Sequence, residues 1–451
     1  MADKSIDLGN TPIKRCFKYY LLPAITGLVI KSLFIMGDTI MVGRGVGGEG
    51  LGAVALTIPF FSFFTAVAMM IGIGGAATMS VQFGKGLLKE GQTLFVQSML
   101  FTALLAATLS AAGLFWLDDI LSLIGATGST AQLTHDYLGV MLQFFTVYAL
   151  GWVLSCFIRN DTNPKLAMYA MAGSAVLNLI LDYVFIFEFD WGMKGAAYAT
   201  ALSQIVMFVF LLTHFICGKG KLTLSLKGFG LNRVPKILSI GLPIFFIESS
   251  MAATTLIFNF VLLAKGGELY LNAFSIVINV GIFITFMLVG IGQACQPLIS
   301  FNYGAGSISR ARETFSIGLR YALITSVMAL IIVQVTAPAI AGLFTVDNPE
   351  LVELASIALR LYFLAFPCMA INLLVATLFQ SLERPANATI ISLARGFVFV
   401  VLGLVIIPQL LPETGVWLSP LFAEVLTAVI SLILLTKLLK DMNTEQWVSA
   451  Q

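Results

Sequence analysis

The sequence predicts an all-α polytopic membrane protein, with twelve transmembrane helices in two six-helix bundles related by a pseudo-two-fold axis along the membrane normal. Three observations predict it. Of the 451 residues, 59% are hydrophobic and only 11% charged, too few charges to cover a water-facing surface; mean hydropathy is +0.96. Twelve apolar runs, each long enough to cross a bilayer, follow one another with short Gly-, Pro- or charge-rich breaks. Landmarks of the first six runs recur in the second six at a nearly fixed spacing of 220 residues.

The runs fall near 17–42, 51–80, 92–115, 133–158, 164–187 and 192–217, then 236–263, 270–301, 313–335, 352–380, 386–408 and 414–439. Apolar residues run all the way round these segments, as lipid requires; a soluble helix would keep one polar face. The longest polar stretch, 218–236, lies at the midpoint and carries Lys219, Lys221, Lys227, Arg233 and Lys236. The expected organisation is therefore an N-terminal bundle over 1–217, a linker over 218–236 and a C-terminal bundle over 237–451. The first sixteen residues are polar and lack the apolar core of a signal peptide, so the first run is expected to be a retained span.

The repeat is specific. Pro23 pairs with Pro243, Gly47 with Gly267, Ala53 with Ala273, Gly84 with Gly304, Phe95 with Phe315 and Gly195 with Gly415, and Pro164 pairs with Pro385 after a one-residue slip. Six is even, so both halves enter the membrane from one side and are parallel repeats, with ligand expected between them. Charge sets the orientation. Eighteen of the 25 lysines and arginines fall in the termini, the linker and the breaks on one side; the breaks on the other side hold only Arg44, Lys194 and Lys265. The positive-inside rule then puts both termini and the linker in the cytoplasm.

Several classes drop out. There is no basic stripe for nucleic acid and no H-E-x-x-H or G-x-S-x-G motif for an enzyme. The cysteines Cys16, Cys156, Cys217, Cys295 and Cys368 lie in or beside apolar runs with no C-x-x-C spacing and read as packing residues. His135 and His214 are far apart, so no metal site is expected. The glycine run from Gly43 to Gly48 follows a helix rather than a strand, which makes it a hinge and not a phosphate cradle.

Ionisable residues inside spans are costly and mark functional candidates. The two deepest acids of the first half are Asp38 and Asp182. Asn178 stands one turn before Asp182, and Thr200 lies on the next helix. Two carboxylates with an amide and a hydroxyl suit the binding of a proton or a small cation. Lys31 lies two turns before Asp38 on the same helix face and is expected to pair with Asp38 or Asp182. In the second half, Glu248, Glu424 and Arg395 are the corresponding candidates; Glu248 and Glu424 are expected to tune which compounds bind, and Arg395 reads first as a structural or interface anchor.

G-D-T-I-M-V-G (37–43), R-N-D-T-N-P-K-L-A-M (159–168), N-L-I-L-D (178–182), G-A-A-Y-A-T (195–200) and G-I-G-Q-A-C-Q-P-L-I-S-F-N-Y-G-A-G (290–306) resemble the MATE family, the multidrug and toxic compound extrusion transporters. The likeness covers nearly the whole chain and lies closer to the DinF-like and MepA-like branch than to the NorM-like one. It implies a V-shaped pair of bundles in the inner membrane, acting as a secondary transporter and not an enzyme. Such a chain would work as a monomer on amphipathic, cationic small molecules. It would need no cofactor beyond the coupling ion. The branch's ion cluster maps onto Asp38, Asn178, Asp182 and Thr200, with Tyr137 matching a tyrosine of the fourth helix and Pro23 matching the bend point of the first. Sodium at Asp38, Asn178, Asp182 and Thr200 is the alternative to protons, and a lipid-linked precursor flippase the alternative to an exporter. The NorM-like acids of the second half have no match near Met369 to Asn372, which puts coupling in the first half. Lys31, Ser155, Cys156 and Tyr183 depart from the family pattern.

Overall fold

The computed structural model describes residues 6–216, 218, 220–223, 229–345 and 348–443. Cys217 and the linker residues Lys219 and Lys227 lie outside the described residues.

Among the described residues twelve spans emerge, each within a few residues of its apolar run. They are α1 (Ile13–Gly45), α2 (Gly48–Gly84), α3 (Leu88–Phe115), α4 (Gly128–Asn160), α5 (Pro164–Glu188) and α6 (Gly192–Ile216). A continuous trace from Val234 to Gly304 breaks at Gly266 and Gly267, where φ of +63° at Gly267 ends one helix and starts the next. Its arms are α7 (234–265) and α8 (268–304). Then come α9 (Ile308–Gly342), α10 (Pro349–Phe363 and Phe366–Ser381, bent by 42°), α11 (Pro385–Leu410) and α12 (Gly415–Asn443). A short helix, Leu117–Leu123, joins α3 to α4. Gly47, at φ +88°, makes the α1–α2 turn, so the glycine run acts as a helix break. Both α5 and α11 contain a π-helical turn, Tyr183–Glu188 and Ala394–Val398.

Apolar side chains face outward along the spans; Phe260 and Val335 are each 74% exposed, as lipid-facing residues should be. Two large cores lie inside, one per half. At one end the cores trade helices. The first turns of α1 send Cys16, Phe17, Tyr20 and Ala24 into the core of the second half. The start of α7 sends Ile237 into the core of the first. Pro23 and Pro243 lie inside these two helices, near where each crosses from one half to the other.

That same end gathers the described linker residues and the segment that precedes α1. Arg310 donates to the Leu8 and Thr11 carbonyl oxygens at 2.9 and 2.6 Å and to Asn302 Oδ1 at 2.9 Å, which pins the N-terminal segment under the second half. Asp161 accepts from the Lys221 and Leu222 amides at 2.8 and 2.9 Å and lies 2.9 Å from His214 Nε2, which docks the linker on the first half. The Lys221 ammonium lies over Phe83 of one half and Phe301 of the other. Between the halves here, Arg159 donates to Gln293 Oε1 at 2.5 Å, and Asn160 and Gln296 exchange two hydrogen bonds of 3.1 Å. Glycines bring the backbones together: Gly84 of α2 meets α8 at Phe301–Ala305, and Gly304 of α8 meets α2 at Val81. These two are a repeat pair, so the seam carries the pseudo-symmetry of the chain. The halves are sealed at the linker end.

Candidate functional site

The expected first-half cluster assembles. Asn178 and Asp182 stand one turn apart on α5 and are fully buried. Gly37 lets α1 lie close to α5, since a methyl there would strike Leu179. That contact sets the neighbouring Asp38 beside Asp182, and the two carboxyls come within hydrogen-bonding reach. A hydrogen bond between two carboxyl groups requires a proton on one of them. The Asn178 amide settles with its nitrogen donating to Asp182 Oδ2 at 2.9 Å and its oxygen accepting from the Thr200 amide at 3.0 Å. Tyr137 on α4 is buried beside Thr200 and near both acids. Four helices thus converge on the pair, and Oδ1 of each aspartate meets no donor from the protein. Asp182 is the last α-helical residue before the π-turn, a local widening common at functional sites.

Beside this cluster lies a small aromatic cavity of about 20 Å³, lined by Thr57, Phe61, Tyr137, Met141, Phe145 and Tyr148. Tyr137 belongs to both, so the cavity and the carboxyl pair share a wall.

The pairing expected for Lys31 does not form. Its ammonium lies 4.6 Å from the Trp152 ring centre and 5.7 Å from that of Phe286. The carboxylate that acts on it is Glu248 of α7, not Asp38 or Asp182. Two turns of helix separate Lys31 from Asp38, and the flexible lysine stem turns toward the cleft between the halves, where an aromatic face is available.

In the second half, Arg395 and Glu424 meet: Nε donates to Oε1 at 2.7 Å. Asn372 donates to Glu424 Oε2 at 2.7 Å and accepts from Ser431 at 2.8 Å. Arg395 sits in the α11 π-turn, which aims it inward. This ion pair is buried and satisfied, while Glu248 stands apart from it on α7. Among the described residues, no three His, Cys, Asp or Glu side chains form a metal site.

Sequence reasoning missed the seam residues Arg159, Asn160, Gln293 and Gln296, and the aromatics around Lys31. The seam residues sit inside R-N-D-T-N-P and G-I-G-Q-A-C-Q. Glutamines at i and i+3 within an apolar span were the available signal, since an unpaired amide there is costly.

A family model for MatE matches residues 23–184 and again 243–406, one copy per half. The multidrug export protein MepA of Staphylococcus aureus is 26% identical over 437 residues, covering 96% of each chain. The protein of that name from Staphylococcus saprophyticus is 26% identical over 431 residues, covering 94% of each. Among solved structures, an outward-facing multidrug resistance MATE transporter of the MOP superfamily superposes with a TM-score of 0.90 at 23% identity, covering 96% of this chain and 97% of that one. A MOP superfamily transporter from Pyrococcus furiosus gives 0.89 at 23% identity, with the same coverage.

Proposed function

This chain belongs to the MatE family of membrane transporters, and from that premise we propose that it exports amphipathic organic cations in exchange for protons held at the Asp38–Asp182 pair. The observation that carries the reading is the pair itself, two carboxyls within hydrogen-bonding reach in a four-helix pocket, with one oxygen of each unmet by the protein. Such a pair takes up and releases a proton as its surroundings dry and rewet. The small neighbouring cavity shares Tyr137 with the pair, so an apolar group that widens it meets the groups that hold the proton. That is the physical basis of exchange, since each occupant disturbs the site of the other.

The carboxyl–carboxyl contact favours protons over sodium, since two acids within hydrogen-bonding reach of each other share a proton. The duplicated halves and the seal at the linker end support alternating access, with the linker end cytoplasmic and the closed seal marking the outward-facing state. The 26% identity with a multidrug export protein supports small-molecule export as the task. The test uses purified protein in liposomes, with a pH or a sodium gradient imposed separately and a panel of fluorescent amphiphiles. A pH gradient alone should drive transport, and Asp38→Asn and Asp182→Asn should each abolish it with folded protein retained. Sodium-driven transport without a pH gradient would reverse the choice of ion, and unimpaired efflux in both variants would remove the site.

A further inference from the structure

Lys31, Trp152, Phe286 and Glu248 come from α1, α4, α8 and α7, two helices from each half. Their arrangement has the chemistry of a cation site. The flat faces of an indole and a phenyl ring carry negative potential, and a carboxylate adds a full charge. Trp152 is buried, while Lys31, Phe286 and Glu248 are half-buried, as groups lining a cleft are. Trp152 stands seven residues before Arg159 on α4, and Phe286 seven before Gln293 on α8. Because Arg159 and Gln293 bond each other across the seam at 2.5 Å, the two rings sit about 10 Å above it, on the same helix faces. The site therefore lies at the floor of the space between the halves, where a bound compound would meet both.

We propose that Trp152, Phe286 and Glu248 form an interhalf site for a monovalent lipophilic cation, and that Lys31 is its built-in occupant, an ammonium that a cationic substrate must displace. The inference rests on the export reading and names the recognition site that reading lacks. The Lys31 ammonium takes the place expected of a ligand's charge: over the Trp152 face, within reach of the Phe286 face, and in the field of Glu248. Among the described residues Lys31 has no ion pair within 4.0 Å, so rings and a more distant carboxylate hold it rather than a tight salt bridge. Such an occupant leaves readily. Its stem is flexible, and the displaced ammonium can move toward water while the incoming cation keeps Glu248 compensated. The lysine thereby keeps a charged acid from standing alone in an empty cleft, where it would be costly. A tethered competitor also weakens every cation that binds, so selection goes to compounds whose apolar bulk gains more from the cleft than the lysine does.

The experiment measures equilibrium binding of tetraphenylphosphonium to the full-length protein in lipid nanodiscs, with neutral triphenylphosphine oxide as the comparison. Lys31→Met should bind the cation about ten-fold more tightly than the unmodified chain, the scale of one cation–π contact. Lys31→Arg, which keeps an occupant, should match the unmodified chain, and Lys31→Met combined with Glu248→Gln should lose the gain. Lys31→Gln serves the same test should methionine impair folding. If the unmodified chain binds the cation and Lys31→Met binds it no tighter, the inference falls and the export reading stands. A gain that triphenylphosphine oxide shares also overturns it, since that would report added greasiness rather than a vacated cation site. If neither protein binds the cation, the organic-cation reading falls together with it.

Discussion

Replacing Gly84 or Gly304 by alanine should pry open the seal at the linker end. A methyl on Gly84 would lie 2.8 Å from the Ala305 nitrogen and 3.0 Å from the Phe301 carbonyl carbon, and closer still to that carbonyl's oxygen. A methyl on Gly304 would lie 2.8 Å from the Val81 carbonyl carbon and 2.9 Å from its Cα. Ordinary contact needs about 3.5 Å or more, and the obstacles are backbone atoms that cannot swing aside. The two helices must therefore separate by roughly 0.6 Å or more at each site. Overpacking of this kind costs about 1–3 kcal/mol. The strain exists only while the seal is closed, so the whole cost acts on the equilibrium between closed and open forms and shifts it about 5- to 150-fold. Spin labels at Lys89→Cys and Ser309→Cys, repeat-related positions on either side of the seam, report the distance. Each alanine variant should add or enlarge a longer-distance population, and the double variant more so. Gly173→Ala is the control, because a methyl there meets nothing within 4 Å. Unchanged distance distributions in Gly84→Ala and Gly304→Ala would refute the idea that backbone contact at these glycines holds the seal.

Three further outcomes can be checked. Arg395→Met leaves the Glu424 carboxylate buried with Asn372 as its remaining side-chain partner, and should lower thermal stability by about 3–5 kcal/mol in a detergent melt; a melt within 1 kcal/mol (roughly) would mean the pair adds nothing net. Asp161→Ala removes the acceptor of the Lys221 and Leu222 amides and the partner of His214, and should make those linker amides exchange hydrogen about ten-fold faster or more, as the loss of bonds to a charged group predicts. Hydrogen bonds from Asn10 and the Gly9 amide hold the Asp7 carboxyl below its ordinary 3.8. Its contribution is thus complete above that value and lost as the pH falls through the lower folded-state value, so proteolysis before Ile13 should accelerate only in strong acid and not between pH 5 and 8.

The fold was legible because lipid makes a blunt demand. A segment that crosses must be apolar for about twenty residues, and such runs show in the sequence without any knowledge of their partners. The α7–α8 break was legible too, through Gly267 and its repeat mate Gly47, both at positive φ. The carboxyl cluster could be read because Asn178 and Asp182 share a helix face and few other charges lie that deep. Direction across helices was not legible. Spacing put Lys31 and Asp38 on one face of α1, but it did not say that α1 faces α5 at Asp38 and the cleft at Lys31. The seam was illegible for a similar reason. Arg159 and Gln293 are 134 residues apart, and no local pattern links them.

The repeat also explains why ion chemistry would settle in one half. Carried across at the spacing of 220 set by Pro23 and Gly195, Asp38 maps onto Phe258 and Thr200 onto Pro420. At the spacing of 221 set by Pro164, Asp182 maps onto Gly403. Every counterpart is apolar or lacks a polar side chain, so the second half cannot build the same pocket. The ion pair of the second half maps the other way. Arg395 falls on Ser174 and Glu424 on Gln204, which themselves lie 3.4 Å apart and bond. One position pair on the fifth and sixth helices of each half thus holds a polar bridge in both, neutral in one and charged in the other. The charged bridge is closed on itself by Asn372 and offers no free oxygen of the kind the aspartates present. A proton taken up in the first half would therefore act on one bundle, and α1 connects that bundle to the seam. Its far portion carries Asp38 against α5, and its first turns are buried in the core of the opposite half. Any movement of α1 that follows a change of charge at Asp38 must pass Pro23 and pull on Phe17 and Tyr20. A helix that is continuous, crosses between cores and carries one of the two acids gives the chemistry a mechanical route to the seal, with no need for an equivalent acid in the second half.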